Sequence, residues 1–224
     1  MTPAAPPLTH PSPNAGERRD GAVPRFVVLH YTAMPSAGEA LTRLCDPTAE
    51  VSAHYLIAAD GALSVLVPEE RRAWHAGAGS WAGCADVNSA SIGIELDNDG
   101  ASPFAEPLMR SLLDLLPGIL ARWGIAPEGV IGHSDMAPGR KSDPGPHFDW
   151  PRLAARGLAR RPATGPGPAV GGAELFRRLA HAAGYTADVS DERLLEAVRL
   201  RYRPEAAGPL APADFAPLAE FARS

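Results

Sequence analysis

The chain has 224 residues, 45% of them hydrophobic, and carries 21 lysines and arginines against 26 aspartates and glutamates, a net charge of −5. That length suits one medium domain, or one domain with a small appendage, and the apolar fraction is enough for a real core. The acidic balance argues against a nucleic-acid footprint, and no apolar run approaches the ~18 residues that a membrane span needs. The opening stretch, MTPAAPPLTHPSPNAGERRDGAVP, has no basic segment followed by an apolar one and therefore does not read as a secretory signal. Residues 1–20 read instead as a proline-rich leader, disordered or draped on the surface. Two cysteines occur, Cys45 and Cys84. At this size a disulfide framework is unnecessary, and a reducing compartment is the simpler inference, with a single bridge left open.

RFVVLHY (25–31) is a short apolar, β-branched run that predicts a buried strand. SAGEALTRLC (36–45) predicts a helix with Ser36 as its N-cap. HYLIAADGALSVLVPE holds two apolar runs around Asp60-Gly61, a strong hairpin signal. SIGIEL (91–96) is another strand. Leu108, Leu112, Leu115, Leu116, Ile119 and Trp123 recur at helical spacing, so 105–123 is an amphipathic helix that Pro117 is expected to kink or split. GVIGH (129–133) is a last strand, leading into GHSDMAPGRKSDPGP (132–146), a loop dense in titratable side chains, proline and glycine. Beyond it, RRPATGPGPAVGG breaks every period and reads as a linker. Three short helical patterns follow. The expected organisation is an α/β domain over 21–160, a linker over 161–171 and a small helical domain over 172–224.

His30 and His133 stand at strand ends and Asp143 in the loop. Two neutral imidazoles and a carboxylate form a three-ligand zinc set that leaves a fourth position open for water. His133 and Asp143 are ten residues apart, a span that a stiff Pro/Gly loop can fold back on one ion. The plainer alternative is three ordinary polar groups, each satisfied separately, and on spacing alone this set is a weaker signal than HExxH.

Five ordered stretches, VVLHYT, VSAHYLI, AWHAG, NSASIGIEL and GHSDMAPGRKSDPGP, closely resemble the zinc-dependent N-acetylmuramoyl-L-alanine amidases. That family includes the peptidoglycan recognition proteins and phage amidases. The likeness covers about residues 20–155, and the chain looks most like the AmiD branch, with AmpD a more distant relative. It implies a mixed central sheet flanked by helices, with zinc at the floor of a groove held by His30, His133 and Asp143. It also implies that Glu95 lies beside the metal as general base and acid, although a strand-end glutamate is ordinarily just solvated. Relatives often place a catalytic tyrosine where this chain has Ala53, which leaves Glu95 as the group available to move the proton. Lys141 is implied to stabilise an oxyanion on the substrate carbonyl. Arg140 is implied to pair with a carboxylate of the protein or of the stem peptide. For His54, a contact behind the metal or with substrate weighs evenly against core packing. Trp74 and His75 resemble a groove wall, and Asn88 a substrate-contacting asparagine. His10, His147 and His181 carry no motif. The C-terminal helices resemble a three-helix peptidoglycan-binding domain, with LLEAVRLRYRP diverged at Ala197 and around Arg199.

The expected activity is a zinc hydrolase that cuts the amide between N-acetylmuramic acid, ordinary or 1,6-anhydro, and the L-alanine of the stem peptide. Peptidoglycan fragments or muropeptides are its expected partners, with no nucleic acid and no membrane span. The rivals are a non-catalytic recognition protein that binds peptidoglycan, against which the complete ligand set speaks, and a zinc peptidase of another bond. The cytoplasm is the expected compartment, with the periplasm or the cell envelope as the alternative.

Overall fold

The computed structural model describes residues 8–163 and 171–223, with side chains described to residue 219. Residues 1–7 of the expected leader and 164–170 of the expected linker lie outside the described residues.

A six-stranded mixed sheet organises the chain. Its strands are β1 (Leu8–Thr9), β3 (Phe26–Tyr31), β4 (Tyr55–Ile57), β5 (Leu63–Val65), β7 (Ser91–Leu96) and β8 (Val130–Gly132). The order is β1-β5-β4-β7-β3-β8. A two-stranded ribbon joins β2 (Ala15–Gly16) to β6 (Arg72–Ala73). At the centre β4, β7, β3 and β8 all run parallel, while β5 returns antiparallel to β4 through the Asp60-Gly61 turn. Gly61 turns there with φ +91°, and a Cβ would strike the Pro107 carbonyl at 2.9 Å.

Residues 8–20 of the expected leader form ordered, paired elements at the surface of the fold. β1 and β2 each pair with a neighbour, and the Arg18 guanidinium reaches inward to the carbonyls of Glu69, Ser89 and Ser91. Backbone carbonyls facing inward need donors, and this arginine supplies them.

Helix α1 (Ala37–Cys45) starts where Ser36 caps it, accepting from the Glu39 amide. Helix α2 (Glu106–Trp123) runs unbroken through Pro117, so of the expected kink or split the split does not occur. Pro117 is exposed, so the ladder bond that it cannot make is lost on the solvent side. The buried stripe Leu108, Leu112, Leu116 and Ile119 packs on the sheet face that carries Val27, Leu29, Ile92 and Ile94.

Strand alternation sends Phe26 and Val28 to the opposite face. There they share one apolar cluster with Ile131, Met136, Phe176, Leu179, Leu194 and Val198. The last four of these residues include side chains of α5 (Ala173–Ala183) and α6 (Asp191–Tyr202). The C-terminal helices therefore pack directly on the sheet. Between them and β8 come two short helices, α3 (His133–Met136) and α4 (Trp150–Ala155), and the chain closes through α7 (Pro212–Phe215).

Because both sides of that second face belong to one cluster, Phe176→Ala is expected to destabilise the whole chain by about 3–5 kcal/mol. Denaturant unfolding followed through the tryptophans should show one cooperative transition at lower denaturant. Two separate transitions, with only the later part of the chain affected, would contradict the shared core.

Candidate metal centre and groove

The parallel strands β3, β7 and β8 end at the same edge of the sheet, where their carboxyl ends leave a crevice. His30 is the fifth residue of β3 and lies in register beside Glu95 of β7. His133 does not end a strand, as expected from sequence, but opens the one-turn helix α3 directly after β8. Asp143 comes back to the same point because the loop is stitched to that turn. The Ser134 amide donates to the Asp143 carbonyl at 2.9 Å, and the Arg140 and Lys141 amides both donate to the Ala137 carbonyl at 3.1 Å. Gly132 permits the approach, since a Cβ there would meet Pro144 Cδ at 2.7 Å.

The three side chains meet at one point and are buried. His30 Nδ1 lies 2.8 Å from Asp143 Oδ2 and 3.0 Å from His133 Nδ1, and His133 Nδ1 lies 3.0 Å from the same carboxylate oxygen. On the far side of its ring, His133 Nε2–H donates to the Ala76 carbonyl at 2.8 Å. A carbonyl can only accept, so the tautomer that satisfies it carries its hydrogen on Nε2 and presents a bare Nδ1. Burial first, and then the neighbouring His133, bring His30 down to about 4, so the His30 ring is neutral near pH 7. Burial would raise Asp143, but the imidazoles beside it hold its carboxyl well below the usual range. Lone pairs aimed at one another at such distances repel unless a cation lies among them. Tetrahedral ligands at zinc-like bond lengths stand about 3.3 Å apart, within half an ångström of the observed spacings. The set fits a divalent ion.

Glu95 adds a fourth polar group. Its Oε2 is buried without a hydrogen-bond partner among the described residues. Burial first, and the Asp143 charge second, push its carboxyl up to about 8. Above these groups opens a groove of about 420 Å³ lined by Tyr31, Arg43, Trp74, Arg140 and Lys141, among others. Trp74 and Lys141 thus face the same space as the metal ligands. Arg140 also lines the groove, but its guanidinium is tied to carbonyls, donating to Ala76 at 2.7 Å and to Ala78, not to a carboxylate.

Asn88, expected to resemble a substrate contact, and His54, for which core packing weighed evenly against a role at the site, do not line the groove. His54 is fully buried at the start of β4, where its Nδ1 accepts from the Gly93 amide at 2.9 Å and its Nε2–H donates to the Arg71 carbonyl at 3.1 Å. Asn88 is also buried, and its Oδ1 accepts from the amides of His75 and Ala76 at 3.0 and 2.8 Å. Each satisfies main chain that would otherwise be orphaned. His75 lines the groove floor, and its ring lies behind His30, with Nδ1 3.0 Å from His30 Nε2.

Arg43, Tyr31 and Ser91 carry no clear signal in the sequence. Arg43 lies on the exposed face of α1, where its charge looks solvated. Tyr31 ties the loop through Ser142 at 2.9 Å, a contact between residues distant in the chain. Ser91 looks like the first residue of an apolar strand.

A model of the N-acetylmuramoyl-L-alanine amidase family matches residues 20–146. The N-acetylmuramoyl-L-alanine amidase AmiD of Escherichia coli is 41% identical over 159 residues, covering 63% of this chain and 56% of AmiD, so the match spans little more than half of that relative. Its solved structure with anhydro-N-acetylmuramic acid-L-Ala-D-γ-Glu-L-Lys superposes with a TM-score of 0.77 at 33% identity, over 91% of each chain. The 1,6-anhydro-N-acetylmuramyl-L-alanine amidase AmpD of Salmonella typhimurium is 35% identical over 162 residues, 65% of this chain and 87% of AmpD. AmpDh3 of Pseudomonas aeruginosa, solved with anhydromuramic pentapeptide, gives a TM-score of 0.80 at 30% identity, over 97% of this chain and 96% of the other.

A divalent ion that binds only the folded chain stabilises it, by about 2.7 kcal/mol at a hundredfold excess over Kd. Zinc added to metal-free protein is therefore expected to raise the Tm, and His133→Ala to abolish that rise. An equal rise in the variant would place the ion elsewhere.

Proposed function

We propose that this chain, which belongs to the N-acetylmuramoyl-L-alanine amidase family, hydrolyses the amide between the lactyl carbonyl of N-acetylmuramic acid and the L-alanine of the stem peptide. One observation carries this reading: three bare ligand atoms converge on the floor of a groove, with an unpartnered carboxylate oxygen nearby. The names of AmpD and the molecules seen in AmiD and AmpDh3 support the 1,6-anhydro form as substrate. Exposed cations around the groove, Arg43 and Lys141, suit the carboxylates of an acidic stem peptide.

The ion we propose is zinc, because two imidazole nitrogens and one carboxylate are a zinc hydrolase set with one position left open. When bound, zinc polarises the carbonyl and lowers the pKa of a water towards ~7. His30, His133 and Asp143 would hold it. Glu95 takes the proton from the attacking water. A carboxyl held well above its usual value by burial can then give that proton to the leaving amine as the C–N bond breaks. The Lys141 ammonium stabilises the negative charge that develops on the carbonyl oxygen. Trp74 offers a flat apolar wall to the sugar or peptide.

The direct test is mass spectrometry of products from anhydro-muropeptides and from intact sacculi, side by side. Release of free stem peptide from the soluble fragment is expected, and no release from either would contradict the activity. Glu95→Gln is expected to keep its metal yet lose about 10²-fold or more in kcat. Since the base must be ionised, kcat/KM should fall with acid along a limb lying between pH 4.5 and about 8, the ordinary and the raised positions of Glu95. The Gln variant should lack that limb. Lys141→Ala should also keep its metal while losing about 2.7–4 kcal/mol of transition-state stabilisation, the scale of a deleted oxyanion donor. An unchanged rate would remove Lys141 from the reaction.

A further inference from the structure

We propose that Ser91 and His75 form a hydrogen-bonded relay that decides which nitrogen of His30 is free for the metal, a proposal that rests on the metal-centre reading above. The two histidine ligands are oriented by different means. Behind His133 Nε2 lie the Ala76 carbonyl at 2.8 Å, which can only accept, and at 3.3 Å the Arg140 Nη2, whose hydrogens go to the Ala76 and Ala78 carbonyls, so the nearer carbonyl selects a hydrogen on Nε2. His30 has another histidine behind it, and a neutral histidine can accept or donate at either nitrogen. Something further along must choose.

That choice is made at Ser91. Its hydroxyl donates to the Val87 carbonyl at 2.5 Å, a group that can only accept, so the hydroxyl hydrogen is committed there. Only oxygen lone pairs remain to face His75 Nε2 at 3.2 Å, so that nitrogen must carry the hydrogen. The other nitrogen of His75, Nδ1, is then bare and can only accept. His30 Nε2 must therefore be the donor across the 3.0 Å contact, which leaves His30 Nδ1 bare at the point where His133 and Asp143 converge. Each link is forced by the one before.

The surroundings hold His75 to this task. Its ring lies directly over Gly93, where a Cβ would come within 2.4 Å of Cγ, so the strand has no room for a side chain there. Asn88 accepts from the amides of both His75 and Ala76. One side-chain amide thus pins the dipeptide whose ring serves His30 and whose carbonyl serves His133. Neither Ser91 nor His75 needs to touch substrate to act. They are positioning residues.

The test uses metal-free full-length protein labelled with ¹⁵N at the histidine rings, with zinc affinity measured by chelator competition. In the wild type the His30 ring is expected to show a protonated Nε2 and a bare Nδ1. Ser91→Ala removes a single oxygen, frees His75 to turn its hydrogen towards His30, and should give His30 a mixture of both tautomers with zinc affinity lowered 10–100-fold. His75→Phe, which keeps a ring over Gly93 but no acceptor, should lower affinity by a similar factor. Wild-type His30 protonated at Nδ1 would overturn the relay even if the variants failed to fold. Unchanged spectra and affinity within twofold in folded Ser91→Ala would overturn it as well. A wild type that took up no zinc would refute the metal reading instead, and the ring-nitrogen spectrum would still judge the relay.

Discussion

Three acceptor atoms, two imidazole nitrogens and one carboxylate oxygen, face one another within 3.0 Å in the interior of this protein. Without a cation between them, such a cluster opposes folding, because buried lone pairs have given up water and gained nothing in return. Much of the surrounding structure serves to hold the cluster together. Parallel strands bring His30 and Glu95 to one edge, and α3 turns His133 back over it. Backbone bonds from Ser134, Arg140 and Lys141 fold the loop so that Asp143 arrives from a third direction. The groove above is polar where it meets this cluster and cationic at its rim, which suits an acidic substrate approaching a metal.

The C-terminal helices take part in the same construction. Asp135, in the turn that His133 opens, accepts from the Gly132 amide, the Tyr185 hydroxyl and the Arg201 guanidinium at 2.6–2.8 Å. Arg201 belongs to α6, donates to the Val130 carbonyl and lies 3.9 Å over the Trp150 ring. One buried ion pair thus ties α6 to both β8 and the metal-bearing turn. Removing either partner would leave the other uncompensated in the interior, which is far more destabilising than never having had the pair. Asp135 lies only two residues from His133, yet its carboxylate is fully engaged with the helices and is unavailable as a ligand.

Much of this was legible in the sequence, for local reasons. The β-branched run of β3, the Asp60-Gly61 turn, the Ser36 cap and the leucine stripe of α2 are signals carried within a few residues. The three converging side chains could be named because few residue types bind metal and the motifs stand in a telling order. What escaped were decisions made between distant segments. The leucine stripe already puts Pro117 on the far face of α2, but nothing near Arg18 says that carbonyls of Glu69, Ser89 and Ser91 await it. His54 and Asn88 sit in stretches rich in functional residues, but their side chains turn to main-chain groups that only the folded sheet brings near. Ser91 was hidden for the opposite reason, as a small residue at the start of an apolar strand.

The most direct measurement is X-ray absorption at the zinc edge on protein loaded with one equivalent of zinc, beside the Asp143→Ala variant. If the cluster holds the ion, the wild-type spectrum will show two imidazoles among its nitrogen and oxygen ligands at about 2.0–2.2 Å, and no sulfur. The variant will fail to retain the metal. A wild-type spectrum with one imidazole or none, or with sulfur at about 2.3 Å, would contradict it, as would a variant that binds zinc with the same spectrum.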